Sequence, residues 1–308
     1  MISCSKCKRE AVLRLDYAAL DLCGRCFSSL FEKRVARAQR EFQLFERGDV
    51  VAVGVSGGKD SAALLYVLWK LSKKVGFSVK PVLVDEGIAG YRDESIGFAQ
   101  RLCQKLGLEL FQVSYQQLAG HSMDSIMKIR DEKDLGFRSC GVCGVLRKDS
   151  LNKAARMVGA NKLAVGHNAD DVAQTVLMNF LRGDAEGFER FGVVSGTGSQ
   201  EKFVQRVKPL VYNLEKECAL YCVVNDLPFH LAECPYSAEA FRGQVKDFLN
   251  DVEKRHPGSK FNVLQSFLKL KEKLPKPVEN HQAGNCTVCG EHSSAAICRR
   301  CVLLESLV

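Results

Sequence analysis

Apolar positions fall into two patterns along the chain. The segment Asp49–Val55, DVVAVGV, is continuously apolar, the mark of a strand buried on both faces of a parallel sheet. SGGKDS follows at Ser56–Ser61, then an apolar helix to about Leu71. A second strand, VKPVLVD, ends at Asp85. The pattern then predicts a helix over Asp93–Leu106, a third strand near Leu108–Val113, and a helix ending before Gly159. KLAVGH (162–167) reads as a fourth strand and Ala169–Leu181 as the next helix. Strands alternating with helices predict a doubly wound parallel α/β sheet. Beyond Val211 the spacing turns helical, over Leu214–Asp226, Ala238–Lys254 and Phe261–Leu274. LPKPVENHQAG (274–284) reads as a linker. Before the first strand, Phe31, Val35, Ala38, Phe42 and Phe45 recur at helical spacing, with Lys33, Arg34, Arg37 and Arg40 on the other face.

The chain of 308 residues is 46% hydrophobic and 26% charged, enough to bury a core in one large domain or two ordinary ones. No apolar run nears the roughly 18 residues that would span a bilayer. MISCSKCKRE lacks the apolar core of a signal peptide, so the expectation is a soluble intracellular protein. Forty-four basic against 36 acidic residues give +8, a balance that favours an anionic partner such as nucleic acid. The basic face of the Phe31–Phe45 helix is then either a solvated face or an RNA contact.

The 14 cysteines change the picture most. Cys4, Cys7, Cys23 and Cys26 form two CxxC knuckles near one end; Cys286, Cys289, Cys298 and Cys301 form two near the other. Four thiolates in two knuckles suit closed, tetrahedral, structural zinc, with no open position for catalysis. A third CxxC, Cys140 and Cys143, stands in FRSCGVCGVLRK without a second pair. Cys103 and Cys218 sit in predicted helices and read as structural, and Cys222 shares the Cys218 helix. Cys234, in HLAECPYSAEAFR, lies outside the helices and is the best third member. Three such thiolates suit a [4Fe–4S] cluster with one open iron, a persulfide relay, or zinc with an unidentified fourth ligand; two loop cysteines and a core cysteine remain the plain alternative.

SGGKDS stands where a doubly wound sheet binds nucleotides, at the carboxyl end of its first strand. Gly57 and Gly58 allow close backbone approach to phosphate, Lys59 adds charge, and Ser56 and Ser61 add hydroxyls. It is not a Walker loop. GHNADD (166–171) ends the fourth strand, and Asp170 and Asp171 suit a magnesium ion or helix capping. His167 is either a substrate contact or a strand-end histidine.

SGGKDS resembles the SGGxDS signature of the PP-loop ATP pyrophosphatases. The order of zinc quartet, SGGKDS, VDEGIAGYR, CGVCGVLRK, GHNADDVAQTVLMNFLRGD, ECPYSAEAFRG and second zinc quartet resembles, over nearly the whole chain, the TtuA and cytoplasmic tRNA 2-thiolation protein group. That resemblance implies an adenine nucleotide alpha hydrolase-like fold flanked by zinc-finger modules. It implies a zinc module at 1–30, a PP-loop domain at 31–211, a helical extension carrying the third active-site cysteine at 212–274, and a linker and zinc module at 275–308. The implied activity is tRNA uridine 2-sulfurtransfer: ATP-Mg adenylates the C2 oxygen, and sulfur replaces it. By resemblance, Ser56, Gly57, Gly58, Lys59, Asp60 and Ser61 form the pyrophosphate loop, and Asp85 lies at the adenosine strand end. Gly166, His167, Asp170 and Asp171 complete the nucleotide side, with Asp170 as the catalytic acid. Cys140, Cys143 and Cys234 match the cysteines that bind an oxygen-sensitive [4Fe–4S] cluster, and the terminal quartets match two zinc sites. Relatives carrying paired arginines after the central CxxC are matched here by Arg147-Lys148, which keeps the charge but not the second bidentate donor. The resemblance further implies a cytoplasmic homodimer acting on tRNA, a thiocarboxylated ubiquitin-like carrier or sulfide as donor, and a second subunit in eukaryotic systems. CGVLRK and CVLLESL lean toward the wobble uridine. The alternatives are T-loop thiolation, another PP-loop reaction such as cytidine thiolation or amide synthesis, and a non-catalytic zinc-finger tRNA-binding protein with a relict nucleotide loop.

Overall fold

The computed structural model describes residues 2–196, 203–239, 241–273 and 284–308. The chain begins with a hairpin, β1 (Leu13–Leu15) and β2 (Leu20–Leu22), and a long helix, α1 (Gly24–Phe42). Then come β3 (Val50–Gly54), α2 (Lys59–Val75), β4 (Ser78–Asp85), α3 (Arg92–Leu106) and β5 (Phe111–Ser114). Three helices follow, α4 (Tyr115–Ala119), α5 (Met123–Glu132) and α6 (Ser139–Met157), before β6 (Lys162–Ala164), α7 (Ala169–Arg182) and α8 (Ala185–Arg190). Two short strands, β7 (Val194–Ser195) and β8 (Gln205–Val207), precede α9 (Glu215–Val224), α10 (Phe241–Arg255) and α11 (Ser259–Lys273). The last elements are β9 (Gly284–Asn285), β10 (His292–Ser293) and α12 (Arg299–Leu307).

The central sheet has the order β5-β4-β3-β6-β8-β7. All pairs are parallel except β7 with β8, so the expected doubly wound parallel sheet carries one antiparallel edge strand. The order of connection reverses between β3 and β6, and ligands bind at that crevice in open α/β sheets. β3 takes its central place by composition, since Val51, Ala52 and Val53 are fully buried. α2 is buried along most of its length, with Ala62, Ala63, Leu64, Leu65 and Leu68 at 1% exposure or less. It packs against β3, β4 and α9. Each buried leucine there contributes roughly 2 kcal/mol of transfer free energy, which fixes the helix that starts at the loop.

Several expectations shift in detail. Phe45 lies beyond the end of α1 but is buried against Phe77, with ring centroids 4.7 Å apart. The basic face of α1 is not wholly solvated: Lys33, Arg37 and Arg40 are exposed, but Arg34 turns inward. Arg34 pairs with the fully buried Glu217 at 2.8 Å and packs against Tyr17 and Phe261. Residues 274–283 of the expected linker lie outside the described residues.

Candidate functional site

The loop after β3 turns sharply at Gly57, whose φ is +88°. A Cβ there would come within 2.0 Å of the Ser95 carbonyl oxygen, so only glycine fits. Gly58 caps α2 in ordinary extended backbone, and a Cβ there would meet only the Ser56 Oγ, at an ordinary contact distance of 3.6 Å. Ser61 accepts from the Ser56 N–H at 3.1 Å and donates to the Gly58 carbonyl at 2.9 Å, which braces the turn. The Lys59 ammonium reaches Asp60 at 3.2 Å and Glu215 at 2.9 Å. Burial works against its charge, but those carboxylates outweigh burial and raise its pKa. Burial raises Asp60 as well, while Asn168 donates to its other oxygen at 3.0 Å.

The loop lines a cavity of about 350 Å³ at the carboxyl edge of the sheet. Gly54, Ser56, Asp60 and Ser61 form one wall; Gly166, His167 and Asp171 form another; Glu86, Tyr91, Arg92 and Arg147 form a third. Asp85 stands at the end of β4 and accepts from the Gly87 N–H at 2.8 Å. Desolvation beside the cavity, then the surrounding cations Lys208, Arg242, Arg206 and Arg147, lower the pKa of His167 and favour its neutral form.

The two aspartates of GHNADD part company. Asp171 joins Asn168 in a capping box, lines the cavity, and is pushed up to about 6, chiefly by burial. Asp170, about 100° round the helix, is 3% exposed and absent from that cavity. Its carboxylate pairs with Lys260 of α11 and accepts from the Glu215 N–H at 2.7 Å. Asp170, Lys59, Glu215 and Lys260 line a second cavity of about 520 Å³ behind the loop.

The central cysteines occupy the first turns of α6, a placement their loop-like glycines concealed. Ser139 and Cys140 both donate to the carbonyl oxygen of Tyr236, at 3.2 and 3.6 Å, which sets Cys234 beside that turn. Upstream of Cys234, the His230 N–H donates to the Gly57 carbonyl at 2.8 Å and ties this segment to the loop. Cys143 lies 3.5 Å from the Tyr115 hydroxyl, and Arg147 donates to its sulfur at 3.1 Å. Burial raises the Cys143 thiol despite Arg147, and burial raises Cys234 too. Cys103, Cys218 and Cys222 are buried in the core.

Sequence reasoning passed over Glu86 and Arg92, which join the two halves of the site. Glu86 is 4% exposed and Arg92 3%. Arg92 donates to the Ser56 carbonyl at 3.0 Å and the Val84 carbonyl at 2.7 Å, and its Nε is 2.7 Å from Glu86. The other Glu86 oxygen holds Arg147 at 2.9 Å. Glu86 follows the last residue of a buried strand at the ligand edge, and that position was the available signal.

Among the described residues, the two terminal quartets are the sets of thiols whose sulfurs all lie within 4.8 Å of one another. Tetrahedral zinc with Zn–S near 2.3 Å needs sulfurs about 4 Å apart, so both quartets fit it. In each, a backbone N–H of the partner knuckle, from Cys23 or Cys298, holds one thiol, Cys4 or Cys286, down at about 6. Cys140, Cys143 and Cys234 do not bring all three sulfurs within 4.8 Å of one another. The C-terminal quartet is fastened to the cysteine helix by Arg300 with Asp149 at 3.1 Å and Arg156 with Glu291 at 2.6 Å.

The PP-loop domain family model matches residues 28–252. The cytoplasmic tRNA 2-thiolation protein 1 of Danio rerio is 40% identical, over 99% of this chain and 88% of that protein. Its counterpart in Xenopus laevis is 41% identical with the same coverage. Among solved structures, the U34-tRNA thiolase NcsA from Methanococcus maripaludis with its [4Fe-4S] cluster superposes with a TM-score of 0.85 at 31% identity. That match covers 100% of this chain and 97% of that one.

Proposed function

This chain belongs to the PP-loop domain family and, within it, to the cytoplasmic tRNA 2-thiolation proteins, and from that premise we infer that it is an ATP-dependent tRNA sulfurtransferase. The reading is that it adenylates the C2 oxygen of a uridine and replaces that oxygen with sulfur. The observation that carries it is the Ser56–Arg92–Glu86–Arg147–Cys143 chain of contacts, which joins the nucleotide loop on the cavity wall to a central cysteine.

Each residue then has a task. Gly57, Gly58 and the free N–H groups of the first turn of α2 receive the phosphates. Lys59, released from Glu215, neutralises departing pyrophosphate. Asp60 and Asp171 are the carboxylates placed to hold magnesium, which prefers one or two carboxylates plus phosphate oxygens. Asp85 and the end of β4 take the adenosine. Asp170 is assigned to hold α7, α9 and α11 together around the loop rather than to touch the substrate. Neutral His167 offers a hydrogen bond to the base without adding charge.

Cys140, Cys143 and Cys234 would hold a [4Fe–4S] cluster, which when bound supplies an iron able to carry the incoming sulfur. Arg147 places positive charge beside Cys143, and Tyr115 orients it. The terminal quartets would each hold a structural zinc ion, and magnesium would arrive with ATP. The U34 thiolase at 31% identity favours the wobble uridine as target. The sulfur source would be sulfide or a thiocarboxylated carrier protein.

Pyrophosphate release from ATP tests the reading against that of a tRNA-binding protein with a relict loop. The reading predicts release that requires tRNA and fails with a transcript whose wobble uridine is replaced by cytidine. Tight tRNA binding with no pyrophosphate release would overturn it.

A further inference from the structure

The buried cations Arg92 and Lys260, like Arg34, each have a carboxylate beside them; the cations beyond His167 do not. Arg206 on β8 and Lys208 just past it are two residues apart, so both side chains leave one face of the strand. Lys208 is 5% exposed, yet its ammonium donates only to the carbonyl of Gly192 and lies 4.8 Å from the centre of the Phe191 ring. Arg206 donates to the main-chain oxygen of Lys148 at 3.3 Å, and its buried Nε has no partner. Lys148 is exposed on α6, next to Arg147. Among the described residues no carboxylate offsets these three charges. Burial and neighbouring cations push Lys208 down to about 8, and burial pushes Arg206 down to about 10.

Charges left uncompensated in a fold cost stability, and a counter-charge supplied by a ligand offsets that cost. ATP does not fit this place. β8 is two strands from β3, about 10 Å across the sheet from the loop that would take its phosphates. Lys208 and Arg206 instead lie near enough to act on the charge of His167, on the cavity wall, where the chain of an RNA would continue once one of its bases has entered. We propose that Lys148 and Arg206, with Lys208 buried behind them, bind a backbone phosphate of the substrate RNA adjoining the nucleotide being modified. This rests on the tRNA sulfurtransferase reading.

The test measures tRNA binding by fluorescence anisotropy over a salt series, beside ATP binding, with the full chain. Lys148→Gln with Arg206→Gln is expected to weaken tRNA binding about tenfold. The slope of log affinity against log salt should shrink by about 0.7, the single-strand value, for each phosphate no longer neutralised. ATP affinity should stay unchanged, and Arg206→Lys should restore part of the affinity. Lys208→Met, which removes a buried charge, should melt no lower than wild type while binding tRNA more weakly, and this separates weakened RNA binding from unfolding. Unchanged tRNA affinity and slope would overturn the proposal. Loss of ATP affinity with tRNA binding intact would overturn it too, and would assign the wall to the nucleotide. A wild-type chain that binds no tRNA would overturn the sulfurtransferase reading first, and this proposal with it.

Discussion

Arg147 lies one helical turn beyond Cys143, and its guanidinium spans from the Cys143 sulfur at 3.1 Å to the Glu86 carboxylate at 2.9 Å. Glu86 in turn meets Arg92, which grips the Ser56 carbonyl. The nucleotide loop and the cysteine helix are thereby held by one buried carboxylate between two arginines. Glu86→Ala should therefore lower unfolding free energy by about 3 kcal/mol, because the buried Arg92 loses its nearer counter-charge and keeps only Asp85 at 4.0 Å. Urea denaturation measures this, and a loss under about 1 kcal/mol would deny Glu86 that role.

Gly57→Ala should be among the most damaging single-atom-scale changes in the chain. The new Cβ meets a backbone oxygen at 2.0 Å, at a φ of +88° that side chains avoid. Strain of about 1–3 kcal/mol, with displacement of the Ser95 strut, should reduce ATP affinity at least tenfold. Gly58→Ala, with only an ordinary 3.6 Å contact to Ser56 Oγ and an ordinary φ, should cost far less. Calorimetric titration with ATP compares the two; equal losses would contradict the geometry.

Asp170 and Asp171 should respond oppositely. Asp170→Asn leaves the buried Lys260 unpaired and should cost about 3 kcal/mol of stability. Asp171 has its folded pKa raised to about 6 from an ordinary 3.8, so ionising it weakens the native state. Below about pH 4 both folded and unfolded forms are protonated and nothing is lost. Stability then falls as pH rises through 6, because the native state holds the proton longer. Asp171→Asn should match wild type at pH 4 and exceed it at pH 7.5, while losing ATP-dependent activity. Thermal melts at both pH values decide it.

The parts of this site differed in how far the sequence revealed them, for physical reasons. β3 and the loop after it were legible because a continuous apolar run ending in glycines has few other folds. The cysteine quartets were legible because ligand spacing is local. β7 and β8 were not, since strands of two and three residues show no period. Glu86 and Arg92 were hidden because a charged residue reads as surface until its partner, several residues away, is folded against it. The division of labour between Asp170 and Asp171 depends on Lys260, 90 residues later. Arg34 looked like a surface cation for the same reason, its partner Glu217 being 183 residues distant.

Removing zinc should loosen the cysteine helix as well as the module itself. Cys298 caps α12, and that module holds α6 through Arg300 and Arg156. Cys298→Ser is expected to carry one zinc per chain instead of two. Hydrogen exchange at the amides of α6 should rise at least tenfold. Two retained zinc ions, or unchanged protection of α6, would contradict this.

The central claim is tested most directly by mass spectrometry of tRNA nucleosides after incubating the oxygen-free protein with tRNA, ATP-Mg and sulfide. The account predicts 2-thiouridine from the wild-type chain and none from Cys234→Ala, which should still bind tRNA. Full 2-thiouridine formation by Cys234→Ala would contradict the three-cysteine site, and none from the wild type with iron and zinc both loaded would contradict the sulfurtransferase reading itself.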